Sequence, residues 1–386
     1  MAWRDAAESL RLAGRIQDGL DAAAHAATLA PTDASIANTT ALLLYRSGAV
    51  DAALARCQQA RVNTPDDIHL ALTHAMLLRT FEQYDEGWAL YERRLELPDL
   101  QRRPHAPATP RWRGEPLAGR SMLVRAEQGL GDQVQFVRWA CLLRAQGASR
   151  VIVQAAPPLL RLLRTAPDID VVAAADQPAP THDVHVDLLS LPHLLHTGTD
   201  MRAQLVPYLS APGAAPQVTA AIPPKPMQTL RIGVVWGGTP LHADDASRSI
   251  PLDTLVSVLT RNDVQVVVLQ QGDVRTQLDA LSPDVRAALI DVAPLCTDMG
   301  DTAYAIAQCD VVLSVDTSVA HVAGALGIPT WVMVAEPAEW RWGRDRTDSI
   351  FYPSVRVFRQ QRPGDWSAVI ADLHRSITRW LEDHAA

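Results

Sequence analysis

Cysteine is scarce and scattered: Cys57, Cys141, Cys296 and Cys309 form no CxxC pair. That spacing offers neither a zinc site nor a disulfide framework, and isolated thiols of this kind read as small buried hydrophobes. Long apolar runs are absent too, with no stretch of about eighteen residues able to span a bilayer. The first residues, MAWRDAAESLRLAGRIQDG, mix acids and bases where a secretion signal needs an apolar core. The expectation is a cytoplasmic chain without a transmembrane segment. Positive charge is in deficit, with Lys+Arg 35 against Asp+Glu 43 and a formal net charge of -8. A general nucleic-acid binder needs a basic face, so nucleic acid is not an expected partner and any phosphate must be held by local groups. What remains is a 386-residue chain, 48% hydrophobic and 5% aromatic. It is long enough for two or three domains with sizeable cores.

The first hundred residues repeat. Gly14 and Gly48, Pro31 and Pro65, and Ala26 and Ala60 are each 34 positions apart. Around them sit GRIQDGLDAAAHAATLAP, GAVDAALARCQQARVNTP and a looser EQYDEGWALYERRLELP. Small residues at helix crossings, with Pro closing each unit, resemble the tetratricopeptide repeat, an antiparallel helix pair. Residues 1–100 are therefore read as TPR-like helical repeats. The third unit departs most, with Gly87 and Arg94 where the pattern prefers Ala, and reads as a docking surface for the remainder of the chain.

A Pro- and Arg-rich connection, RRPHAPATPRWRGEPLAG, leads from the repeats to alternating strands and helices. SMLVRAEQ, VIVQA and DVVAA read as strands and QVQFVRWACLLRAQG as an amphipathic helix, predicting a small doubly wound domain over 119–212. Pro and Ala crowd 207–226 as an interdomain linker does. LRIGVVW, VQVVVL, DVVLSV and TWVMV then predict a second parallel sheet within 228–386. The last helix, about 365–382, is expected to pack back across the cleft between the two domains.

The most informative stretch is CDVVLSVDTSVAHVAGALGIPTWVMV, where a strand breaks at Asp316-Thr317-Ser318 and gives way to a short helix. Ligands of open parallel sheets sit at that carboxyl edge, because helix N–H groups and the helix dipole converge there on an anion. Thr317 and Ser318 supply hydroxyls, and His321 lies one turn along the same face, so the turn reads as a phosphate cradle or as an ordinary capped crossover. In the first domain Gln128-Gly129-Leu130-Gly131-Asp132 opens a helix. It is no dinucleotide fingerprint, since GxGxxG needs Gly where the chain has Val134. Asp132 is a candidate general base or simply a helix cap. Gly237, Gly238 and Thr239 end the first strand of the second domain, and Arg248 comes next in a polar loop. Paired glycine amides and a guanidinium form another anion-binding combination, or a plain surface turn.

GEPLAGRSMLVRAEQGLGDQVQFVRW, RIGVVWGGTP, RSIPL, DTAYAIAQCDVVLSVDTSVAHVAGALGIPTWV and WRWGRDRTDSIFYPSVRVFRQ together resemble bacterial tetratricopeptide-repeat glycosyltransferases. Their catalytic half is similar to the lipopolysaccharide heptosyltransferases of glycosyltransferase family 9. The resemblance covers nearly the whole chain. It implies a GT-B fold, two Rossmann-like domains with a nucleotide-sugar held mainly by the C-terminal one. By the same resemblance Asp132 matches the proposed catalytic base, with Gln128, Gly129 and Gly131 forming the acceptor-side loop. Gly238 and Thr239 match the first phosphate loop, and Arg248 the basic residue meeting the diphosphate. Asp316, Thr317, Ser318 and His321 match the second phosphate turn, and Asp301 falls near an acidic contact to the ribose. Arg248 departs from the family's Lys, the first domain is smaller, and heptosyltransferases lack the repeats. Repeats joined to such a module also look like the protein O-linked N-acetylglucosamine transferases, a similarity of architecture alone.

The expected function is inverting transfer from a nucleotide-sugar, ADP-heptose by resemblance, to a protein or glycan hydroxyl. The repeats would recruit the acceptor or form a homo-oligomer, and no metal or other cofactor is expected. The alternative is an interaction scaffold with an inactive transferase half. Asp168 and Asp170 form a DxD in a turn, and His193 and His196 share a helix face without an acidic partner, so neither reads as a metal site. Trp340 and Trp342 read either as donor-stacking residues or as anchors of their loop.

Overall fold

The structure is a computed structural model describing residues 2–101, 107–196, 207–239 and 245–384. Parts of the connection (102–106), of the first predicted α/β domain and linker entry (197–206) and of the polar loop before Arg248 (240–244) lie outside the described residues. The chain divides into two compact units. One is helical and also includes the distant segment Glu336–Arg346, while the other holds two parallel sheets. The predicted C-terminal domain, 228–386, thus gives up one segment to the helices.

The helical unit is three hairpins: α1 (Ala2–Leu12) with α2 (Ile16–Leu29), α3 (Ala34–Arg46) with α4 (Val50–Asn63), and α5 (Ile68–Thr80) with α6 (Tyr84–Tyr91). The 34-residue spacing has a backbone cause. Each hairpin turns through a left-handed residue, Gly14 (φ 73), Gly48 (φ 84) and Glu82 (φ 59), a conformation glycine adopts without steric cost. Asp33 and Asp67 cap α3 and α5, accepting from Ile36 N at 3.1 Å and Leu70 N at 2.7 Å respectively. Small residues let the helices touch: a Cβ on Gly19 would lie 2.7 Å from Leu43 Cδ2.

The third hairpin departs from the pattern because of what it receives. Arg79 is buried, its guanidinium carbon 4.7 Å from the Trp88 ring, 4.4 Å from Tyr91 and 4.4 Å from Trp340. Burial pulls its pKa down to about 10. Gly87 makes room for the stem of Arg79, whose Cγ would be 2.7 Å from a Cβ there. Glu82 accepts about 1–2 kcal/mol of left-handed strain, and its carboxylate lies 3.2 Å from Arg346. Tyr45 Oη donates to Ala338 O at 2.6 Å, and Arg344 pairs with Asp51 at 2.7 Å. Trp340 and Trp342 are 3% and 1% exposed, so of the two readings of these tryptophans the structure selects the anchor.

In the other unit, β1 (Ser121–Arg125), β2 (Arg150–Ala155), β3 (Val171–Ala174) and β4 (Val184–Asp187) form a sheet of order β3-β2-β1-β4. The second sheet contains β5 (Leu230–Val235), β6 (Val264–Val268), β7 (Ile290–Asp291), β8 (Val311–Val315), β9 (Thr330–Val334) and β10 (Val355–Arg359), in the order β10-β9-β8-β5-β6-β7. All these pairings are parallel. Counted from its own first strand, each sheet has the doubly wound order in which strand 1 lies between strands 2 and 4. Ligand crevices open where that order reverses, at the carboxyl ends of strands 1 and 4. In this chain those points are β1/β4 and β5/β8, with Arg125 opposite Asp187 and Val235 opposite Ser314.

The final helix, Ser367–Asp383, corrects one expectation. Its apolar stripe of Trp366, Val369, Leu373 and Ile377 joins the core made by Ile232, Val234, Leu313 and Val258. It therefore packs on its own sheet rather than crossing to the first, because a 3–4 residue stripe of this kind must bury against the nearest apolar face. Three cysteines are buried and Cys296 is partly exposed, and all four are free. Among the described residues no helix is long and apolar enough to cross a membrane.

Candidate functional site

The turn after β1 is held from several directions. Glu127 is 2% exposed, and its Oε1 accepts from Leu189 N at 3.0 Å, tying the ends of β1 and β4 together. Gln128 adopts φ 63, a strained conformation for a residue with a side chain. Gln133, buried in the helix Leu130–Ala140, donates to Gln128 O at 3.3 Å and accepts from Ala156 N at 2.9 Å. Asp132 Oδ2 accepts from Gly129 N at 3.0 Å, so the capping reading of this residue holds. The side chain is half-buried beside Gly131.

After β8 the chain passes through Asp316 and Thr317 into the helix Ser318–Ala325. Thr317 Oγ1 shares a 3.1 Å hydrogen bond with Ser314 Oγ, and the Thr317 side chain does not cap the helix N-terminus. Asp316, Thr317 and Ser318 are half-buried, whereas His321 is 4% exposed. The two turns meet. A Cβ on Gly131 would lie 2.8 Å from His321 Cδ2 and 3.4 Å from Ser318 Cα. Only glycine allows these helix N-terminal turns to approach so closely, and each N-terminus carries the positive end of its helix dipole.

The third predicted element differs from its expectation. The amides of Trp236 and Gly237 donate to Gln270 Oε1 at 2.8 and 2.9 Å, and that of Gly238 donates to Ser249 Oγ at 3.1 Å. These glycine amides are already paired inside the protein, so they do not form the anion-binding nest expected of them. What Gly238 supplies is space: a Cβ there would lie 2.3 Å from Asp245 Oδ1 and 2.5 Å from Arg248 Nη2. Arg248 folds over this bare backbone, with Asp245 holding its Nε at 3.4 Å. Thr239 is exposed at the end of the loop. Because β5 and β8 are adjacent, the Gly237–Thr239 turn opens at the same sheet edge as Asp316–Ser318. Gln270 and Ser249 were missed by sequence reasoning. Gln270 comes soon after β6, and a polar residue at the end of an apolar strand was the available signal.

Asp301 is a correction. It is 0% exposed, and its oxygens accept from Arg161 Nη2 at 2.5 Å, Ala215 N at 3.0 Å, Thr297 N at 2.9 Å and Thr297 Oγ1 at 2.7 Å. A carboxylate with both oxygens so occupied has no capacity left for a ribose. Arg161 also pairs with Asp298, and Gly300 lacks the Cβ that would fall 2.7 Å from Arg161 Nε. Burial alone would raise the pKa of Asp301, but the Thr297 amide and Arg161 outweigh it and hold the carboxyl well below its usual range. A depressed carboxylate stabilises the fold above its unfolded value, near 4, and that contribution fades as pH falls below it. Asp301→Asn should therefore cost about 3 kcal/mol in urea unfolding at pH 7, with the gap from wild type narrowing only below about pH 4.

The other small candidates are accounted for locally. Asp170 accepts from Arg144 Nη2 at 2.5 Å and Val151 N at 2.7 Å, and Asp168 sits at φ 58 in the turn before β3. His193 lies in the one-turn helix Leu191–Leu194, and His196 lies just beyond it at φ 49.

Residues 253–334 match the family model for glycosyltransferase family 9 (heptosyltransferase). Over 93% of its length the chain is 26% identical to Protein FlbA of Caulobacter vibrioides, and it spans 63% of that protein. A family 9 glycosyl transferase from Veillonella parvula is similar in structure at TM-score 0.49 and 11% identity, over 70% of this chain and 100% of that one. For the ADP-heptose lps heptosyltransferase II of E. coli the values are 0.46 and 14%, over 67% and 99%. The family match runs from the helix after Arg248 through β9 and includes the whole Asp316–His321 turn. The chain thus holds a segment, residues 253–334, that matches glycosyltransferase family 9 (heptosyltransferase), and an N-terminal helical region precedes it.

Proposed function

We propose that this chain is an inverting glycosyltransferase that moves a sugar from a nucleoside-diphosphate donor to a protein or glycan hydroxyl. The observation that supports the reading is the close approach of Gly131 to Ser318 and His321, which joins an acidic turn at one switch point to a helix N-terminus not capped by its own Thr317 at the other. On this reading the acceptor hydroxyl gives its proton to Asp132 and attacks the anomeric carbon as the bond to the diphosphate breaks. Negative charge grows on the departing phosphate. Arg248, the N-terminus of the helix Ser318–Ala325 and His321 meet that charge, and the mechanism calls for no metal ion. The three hairpins act as tetratricopeptide-type repeats that recruit the acceptor. ADP-heptose is the first donor to try, because the matched family is that of the heptosyltransferases.

A thermal shift screen with ADP, UDP, GDP and CDP tests the donor site. One of them should raise the melting temperature by several degrees when supplied at about a hundredfold excess over its dissociation constant, equivalent to about 2.7 kcal/mol. No response to any of the four would favour a scaffold whose transferase half is inactive.

A further inference from the structure

His321 is gripped by a buried polar cluster that the reaction scheme does not use. Its Nδ1 lies 3.0 Å from Tyr352 Oη, and Tyr352 is 0% exposed. The contact depends on Gly324, one turn beyond His321 on the same helix. A Cβ there would fall 2.5 Å from Tyr352 Cδ1, so the tyrosine ring lies on bare backbone and its hydroxyl reaches His321. Behind it stands Arg138, 3% exposed, on the helix Leu130–Ala140 that also carries Gly131. Arg138 donates through Nη1 to Phe351 O at 2.6 Å and through Nη2 to Tyr208 Oη at 3.0 Å, and its guanidinium carbon lies 4.6 Å from the Tyr352 ring centroid. Tyr208 spends its own proton on Val134 O at 2.9 Å.

The donors and acceptors can be traced along this chain. A cation over the ring draws electron density from the phenol, so Arg138 makes the Tyr352 O–H the better donor. The opposite edge of the imidazole faces the other turn: Cδ2 and Nε2 lie 2.8 and 3.6 Å from where a Gly131 Cβ would stand. We propose that Tyr352 is a positioning residue, whose hydroxyl donates to His321 Nδ1, keeps the imidazole proton on Nε2 and aims that N–H at the junction of the two turns. There it would meet the leaving phosphate. Only this last consequence rests on the donor-site reading above, since the tautomer belongs to the free protein.

The test uses the full chain labelled with 15N-histidine, the His321 ring signals being assigned by their loss in His321→Gln. The expected spectrum shows an unprotonated Nδ1 and a protonated Nε2. Tyr352→Phe should mix the two tautomers and lower kcat about tenfold or more, with the donor KM changed less than about twofold. Tyr208→Phe removes the hydroxyl that accepts from Arg138 and neighbours Tyr352 but not His321, and should leave the proton on Nε2 and kcat unchanged. A wild-type proton on Nδ1 overturns the proposal without any variant. So do unchanged ring signals in Tyr352→Phe, or equal changes in Tyr208→Phe. If no nucleoside diphosphate binds, the donor reading fails while the ring signals still decide the role of Tyr352.

Discussion

Asp132→Asn should leave the protein folded and able to bind its nucleotide, yet lower sugar transfer by about 10²–10⁴-fold. The substitution separates the cap that the structure shows from the base role proposed above. The asparagine oxygen still accepts from Gly129 N–H, the bond that Asp132 Oδ2 makes at 3.0 Å, so the helix keeps its cap. What it loses is the capacity to take a proton from an acceptor hydroxyl. Asp132→Ala removes both functions and should add about 1 kcal/mol of destabilisation. Initial-rate measurements paired with calorimetric titration of the nucleoside diphosphate check the result. Normal turnover in the asparagine variant, or loss of nucleotide binding, would remove Asp132 from the role of base.

The second large effect is expected at Arg248. Arg248→Ala should lower kcat/KM by about 100-fold or more, since a charged group on a departing phosphate acts most strongly as the bond breaks. Gly238 lets the guanidinium fold over the β5 turn and Asp245 holds its Nε, so the fork is oriented before any ligand arrives. Arg248→Lys should recover part of the loss, because lysine restores the charge but not the two-pronged geometry. Affinity titrations with a nucleoside and its diphosphate locate the effect. Weakening of the diphosphate alone supports the assignment, whereas equal weakening of both would place Arg248 away from the phosphates.

The site was partly legible because much of it is local grammar. Glycine ahead of a capping residue at the end of an apolar strand marks a sheet edge, as does a run of capping residues alone, and Gly129 to Asp132 and Asp316 to Ser318 are the two cases. The closeness of these two turns was not legible. It depends on Gly131 lacking a side chain where His321, 190 positions later, needs the volume. Asp301 misled for a similar reason. Its partner Arg161 comes from the first sheet's half of the unit, 140 positions earlier, and nothing in the local pattern separates a carboxylate buried in such a pair from one facing a ligand.

The amino-acid sequence alone determined the helical hairpins, the two runs of alternating strands and helices, and the positions where each strand must stop. These arise from backbone preferences that act over a few residues: left-handed turns at Gly14 and Gly48, caps at Asp33 and Asp67, and β-branched runs such as Val311–Val315. Tertiary structure decided which side chains share a place. It sent Glu336–Arg346 to the third hairpin, gave the glycine amides after β5 to Gln270 and Ser249, and laid Tyr352 across Gly324 against His321. Each of those outcomes gives a polar group that folding takes from water a partner outside its own element. Desolvation makes such a partner necessary, but only the packed fold determines which residue it is.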